Sequence, residues 1–181
     1  MRGIMVVLAA LLVTGCAREA ETAEQSPAPP PAEPVPLTEF YSNATARDGD
    51  DLQLSVRMQG FDTPELNAPH CRNPDATTPG EQDVNVAHAA RDALRAMVRD
   101  RRVDCTLIGH DEQDERMVAQ CSVDGRDIGE QMVSQGWARD WPRYSQGRYA
   151  DAERAAREAR RGIWGLECPP DLWGNRNYSN P

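Results

Sequence analysis

Lysine is absent from this sequence: all 20 basic residues are arginine. Codon usage is the plain explanation, but a guanidinium also holds two oxygens of one phosphate at once, which suits a phosphate ligand. Basic residues are also outnumbered, with 29 acids and a formal net charge of −9. That balance excludes loose, whole-surface binding of nucleic acid, and any polyanion would need a local positive site. No CxxC pair occurs and the three histidines are scattered, which argues against a zinc site. The longest apolar run, Ile4 to Val13, has ten residues, too few to cross a bilayer. No internal repeat is visible.

What that run does fit is the core of an export signal, preceded by Met1-Arg2. It ends in Val13-Thr14-Gly15-Cys16, which resembles a bacterial lipobox. Residues 1–16 therefore read as a signal peptide with lipobox, and Cys16 as the lipidated residue after cleavage. An ordinary signal with an incidental cysteine is the alternative. More than one acyl chain gives stable anchoring, so the expected location is extracytoplasmic, as a lipoprotein on the cell envelope. Residues 17–37 contain "SPAPPPAEPVP", a Pro-rich acidic composition that reads as a disordered tether. The remaining residues, 38–181, carry 25 acids against 18 arginines.

Four cysteines are left once Cys16 is set aside: Cys71, Cys105, Cys121 and Cys168. In an oxidising compartment this suggests two disulfides with three possible connectivities. Val103 to Ile108 and Met117 to Val123 read as strands joined by the acidic "GHDEQDER". A hairpin centred on Gln113 places Cys105 opposite Cys121, and Cys71–Cys168 follows by elimination. Phe40 to Arg47 and Leu52 to Gln59 also read as strands, the second by strict alternation, with Asp48-Gly49 as a turn signal. Helices are expected from about Val84 to Asp100, after an Asp127 cap, and from about Ser145 to Arg161. Strands followed by helices in this order predict an α+β fold, with an OB-like five-stranded barrel as the natural candidate.

Charge collects around the alternating segment. Asp50 and Asp62 bracket it, Glu65 follows three residues beyond Asp62, Arg57 lies on its polar face, and Arg116 opens a later strand. Hard cations take carboxylate ligands. A metal polarises a phosphate, a carboxylate takes a proton from water, and guanidinium groups stabilise charge developing on oxygen. These are the parts of phosphodiester hydrolysis.

The motifs "DGD", "VRMQGFDTPE", "ERMVAQC", "GWA", "RYS" and "ARRGIW" occur in that order. Together they resemble the thermonuclease, or staphylococcal nuclease-like, family over roughly Ala44 to Gly165. The resemblance implies an OB-like barrel with three helices over residues 38–165, leaving 166–181 as a C-terminal tail. It also implies a calcium-dependent endonuclease acting on DNA and RNA and leaving 3′-phosphates. Position by position, Asp50, Asp62 and the Thr63 carbonyl match calcium ligands. Arg57 and Arg116 match the phosphate-contacting arginines, and Glu65 the catalytic glutamate. Exported members that carry a cysteine in each of the two paired strands resemble "VDC…VAQC".

Three departures from the pattern stand out. Asp51 replaces a hydroxyl residue, and "EQDER" (112–116) lacks the usual Tyr-Gly turn. Between Asp50 and Arg57 only six residues intervene, without Gly, Asn or Pro. A single straight strand would separate those two by about 23 Å at roughly 3.3 Å per residue. The chain must therefore bend near Gln53 to Ser55 for Asp50 and Asp62 to share one ion. A non-catalytic OB-like module binding nucleic acid or protein is the alternative reading. Arg91, Arg95 and Arg99 read as a solvated helix face, and Trp137 and Tyr149 as packing residues. Trp141 and Tyr144 could stack bases, and His70, His88 and His110 receive no role.

Overall fold

A computed structural model describes residues 42, 44–111, 115–176 and 178. The signal segment, Cys16, the tether, Phe40 and the hairpin centre at Gln113 lie outside the described residues.

The alternating segment is two strands rather than one. Strand β1 (Ala44–Ala46) and β2 (Leu52–Leu54) pair antiparallel, with Ala44 opposite Leu54 and Ala46 opposite Leu52. Asp48-Gly49 lies in their connection, closed by a 2.9 Å bond from the Arg47 amide to the Asp51 carbonyl. The chain then breaks at Ser55, whose carbonyl accepts from the Ser42 hydroxyl at 2.5 Å. Beyond it, β3 (Val56–Met58) joins a different sheet. Each three-residue piece satisfies its backbone groups with a different partner, so one continuous strand does not form.

Gly60 follows β3 in the left-handed region, with φ of +88°, which turns the chain into β4 (Phe61–Asp62). Next come β5 (Cys71–Arg72), a four-residue helix α1 (Pro79–Gln82) and β6 (Asp83–Val84), which pairs with β5. Helix α2 (Val86–Val98) starts where the Asn85 side chain accepts from the His88 amide, a helix cap. It turns Val86, Ala87, Ala90 and Met97 inward, as its apolar spacing requires.

The long strands β7 (Val103–Asp111) and β8 (Arg116–Val123) form the expected hairpin, with Cys105 opposite Cys121. The two sulfurs are bonded, and so are those of Cys71 and Cys168. In β8 the residues Met117, Ala119, Cys121 and Val123 are buried, while their neighbours in between are partly exposed, the pattern of a strand with one face on a core. After β9 (Arg126–Asp127), Asp127 caps α3 (Ile128–Ser134) by accepting from the Glu130 amide. Strand β10 (Arg139–Asp140) pairs with β4, with Arg139 opposite Asp62. Helices α4 (Pro142–Ser145) and α5 (Ala150–Glu158) follow. The expected single helix from Ser145 is interrupted because Gln146 and Gly147 both take positive φ, at 55° and 79°.

The α+β class holds, and α2, α3 and α5 are the three substantial helices. The largest sheet has the order β3-β8-β7, with β9 added to β8. Among the described residues it does not close into a ring. Instead of continuing the wall, β2 leaves at Ser55 to pair only with β1. Phe61, Met97, Ile128, Met132, Val133 and Tyr149 fill the main core. The Tyr149 hydroxyl donates to Asp127 at 3.1 Å, and burial pushes the Tyr149 phenol well above its ordinary pKa. Gly129 permits this packing, since a Cβ there would lie 2.6 Å from that hydroxyl oxygen. A smaller core gathers Cys71, Val86, Ile163 and Leu172, so the C-terminal tail beyond residue 165 is part of the folded body.

Candidate active site

Strand pairing brings the two predicted arginines together. In the parallel register of β3 on β8, Arg57 lies opposite Val118. Arg116 is two residues before Val118, and side chains two apart on a strand share a face. Both arginines therefore stand on the less buried face of one sheet. A register shift between Leu107 and Gly109 in β7 sets Asp111 opposite Arg116. The Asp111 carboxylate accepts from Arg116 Nη2 at 3.2 Å and lies 3.9 Å from Arg57 Nε. One acid is thus the shared counter-ion of both guanidinium groups.

Asp62 sits on β4, beside that sheet, with its side chain 7% exposed. Thr63 and Glu65 follow along the loop beyond it. These residues line a cavity of about 340 Å³ together with Arg57, Arg116 and Arg176. Arg176 comes from the tail. Its Nη1 donates to Asp62 Oδ2 at 2.6 Å, and its Nη2 donates to Glu65 Oε1. The Tyr178 hydroxyl also donates to Asp62 Oδ2, at 2.5 Å. Burial, followed by the hydrogen bond and charge of Asp62, pushes the Tyr178 phenol well above its ordinary pKa. Beside them, the Trp141 ring lies 5.7 Å from Arg57 Cζ and 5.6 Å from Arg176 Cζ, distances at which a π-face attracts a cation. Tyr144 meets Trp141 edge-on at 4.9 Å.

Five of the six predicted site residues, Arg57, Asp62, Thr63, Glu65 and Arg116, therefore line one cavity. Asp50 is not among the residues lining it. It is exposed in the turn between β1 and β2, where its amide donates to the Asp48 carboxylate at 3.3 Å. No group of three or more His, Cys, Asp or Glu placed to hold a metal occurs among the described residues. Asp62 Oδ2 and Glu65 Oε1 nevertheless converge on one guanidinium. Both carboxylates already share a single positive charge, and hard oxygen donors around one cation are what calcium takes. In chemical kind these two residues fit the ion.

Asp111, Arg176 and Tyr178 are partners of the cavity residues that the sequence reading missed. Asp111 belongs to the acidic stretch before Arg116, and the hairpin register could have placed it. Nothing periodic marks Arg176 or Tyr178. The other residues singled out from the sequence have ordinary settings. Half-buried Arg91 and exposed Arg95 pair with Asp92, Trp137 packs against both cores, and His70 pairs with Asp83 at the surface.

Comparison with known proteins bears on the family of the chain. A probable endonuclease, LCL3 of Schizophyllum commune, is 31% identical over 131 residues, an alignment covering 63% of this chain and 41% of that protein. The chain thus spans about two fifths of that relative's length. Residues 55–165 match the family model described as staphylococcal nuclease homologue. With the match running from just before Arg57 to the end of the helical region, the chain belongs to the staphylococcal nuclease homologue family.

Proposed function

We infer that this protein is a nuclease that hydrolyses phosphodiester bonds of DNA and RNA with the help of calcium. The observation that carries the reading is the single cavity lined by Arg57, Arg116, Asp62 and Glu65. A phosphate entering it meets two guanidinium groups from adjacent strands. Their forks neutralise the charge that grows on the phosphoryl oxygens as the fifth bond to phosphorus forms. Glu65, its side chain 61% exposed, takes the proton from the attacking water. Asp62, with the Thr63 carbonyl, would hold calcium in this cavity and leave Glu65 beside the ion as the base, whereas Asp50 has a ligand role by resemblance alone. Calcium, when bound, supplies Lewis-acid polarisation of the phosphate. Asp111 keeps Arg57 and Arg116 oriented until the substrate displaces it. Export and lipid attachment at Cys16 remain part of this proposal and would tether the enzyme outside the cytoplasm.

The test is cleavage of single-stranded DNA and RNA by the full chain with calcium and then with EDTA. Calcium-dependent cleavage that disappears in Glu65→Gln supports the reading. A second reading, a binding module without catalysis, is favoured by one observation: Asp50 lies away from the cavity. Retained binding of the same oligonucleotides without cleavage under any condition would establish it.

A further inference from the structure

The tail does more than pack against the domain. Cys168 is bonded to Cys71, Leu172 is buried, and Trp173 stacks on Trp164 at 5.9 Å. Gly174 then turns the chain, with φ of +63°. Beyond the turn, the Tyr178 ring lies under the Arg139 guanidinium at 3.6 Å. Arg176 is therefore fastened on both sides, and its placement on Asp62 and Glu65 is set by the fold rather than by a loose end.

We propose that Arg176 and Tyr178 form an autoinhibitory latch: the guanidinium and phenol engage Asp62 Oδ2 and Glu65 Oε1 in the active cavity and exclude a divalent cation until displaced. The proposal rests on the calcium reading above. A carboxylate oxygen has two lone pairs, and Asp62 Oδ2 already accepts from both Arg176 and Tyr178. Glu65 Oε1 is likewise engaged by Arg176. A metal ion on these oxygens would replace those donors, and it would repel a guanidinium left within the same few ångströms. Cation and tail are thus mutually exclusive occupants of one site. The apparent affinity for calcium is the intrinsic affinity multiplied by the fraction of molecules with the latch open.

Two measurements decide it. In the first, calcium is titrated calorimetrically into the full chain as wild type, Arg176→Ala, Tyr178→Phe, Arg176→Lys and Asp62→Asn, each with its melting curve recorded. The latch predicts that the calcium Kd tightens by about tenfold or more in Arg176→Ala, as expected if the latch is open in about a tenth of wild-type molecules. The gain is smaller in Tyr178→Phe and smallest in Arg176→Lys. Equal or weaker binding in Arg176→Ala, with binding lost in Asp62→Asn, overturns the latch and leaves the calcium reading standing. Absence of calcium binding in wild type and every variant overturns both. The second measurement needs no variant: trypsin cleavage of the Arg176–Asn177 bond, followed by mass spectrometry. Calcium should accelerate that cut in the wild-type chain, although it stabilises the rest of the domain. Unchanged or slower cleavage on adding calcium overturns the proposal.

Discussion

Strands β2 and β3 are built alike, each an apolar, a polar and an apolar residue, and only Ser55 separates them. Their surroundings differ. Leu52-Gln53-Leu54 pairs with β1 and is exposed throughout, Leu52 to 64%. Val56-Arg57-Met58 lies along β8, with Arg57 and Met58 half-buried. Alternation settles which side chains share a face, but the partner strand settles whether that face meets a core. The difference reaches the chemistry. Arg57 stands on the sheet beside Arg116, while Asp50 rides on the ribbon outside the cavity.

The largest expected effect tests whether that division persists in the working enzyme. Removing Arg57, Glu65 or Arg116 as Arg57→Ala, Glu65→Gln or Arg116→Ala should lower kcat by about 10²- to 10⁴-fold. Asp62→Asn should come close to this, while Asp50→Asn should lose far less. Comparable losses for the two aspartate variants, measured as kcat and as calcium Kd, would show that the ribbon joins the cavity during turnover.

Next in size is a contrast between the two disulfides. Cys71–Cys168 spans a sequence separation of 97 and Cys105–Cys121 one of 16. Loop-closure entropy then predicts a loss of about 4–5 kcal/mol for the double alanine variant of the first pair and about 3 for the second. Denaturant melts of the two variants would check the order. Packing gives a smaller and more direct test of ribbon against sheet. Met58→Ala should cost about 1–2 kcal/mol for a half-buried side chain, and Leu52→Ala less than about 0.5. Equal losses would mean that the ribbon is covered in solution.

The smallest effect lies on β10, the partner of β4. Burial raises the Asp140 carboxyl above its ordinary pKa, with the nearby charge of Glu153 adding to the rise and a Ser145 hydrogen bond opposing it. A carboxyl raised in the folded state favours folding while protonated. That contribution is lost as pH rises from the unfolded value through the folded one. Asp140→Asn should therefore gain stability over wild type across that window, with the gap levelling off above it. Thermal melts from about pH 3 to pH 7 span the ordinary carboxylate value and its raised counterpart.

Local pattern made much of this fold legible. The capping residue Asp127 started α3 as read, and the hairpin register set Cys105 against Cys121. The motifs around Asp62 and Arg116 picked out residues that the fold brings to one cavity; Arg116 opens the alternating strand β8, whereas Asp62 lies on the two-residue strand β4, which no local pattern marks. The break at Ser55 was required by the resemblance, which asked for a bend near Gln53 to Ser55, but no turn residue marks it, because its cause is competition between two partner strands. The tail was not legible. Arg176 reaches Glu65 across 111 residues of sequence and Tyr178 reaches Asp62 across 116. Contacts of that range leave no periodic trace in either segment.

The bond between Cys71 and Cys168 has a consequence for the chain as a polymer. It makes most of the domain a covalent circle, with the circle closed by Cys105–Cys121 nested inside. A protease that nicks any loop between residues 71 and 168 leaves a molecule of unchanged mass, apart from one added water. Only a reductant would release the pieces.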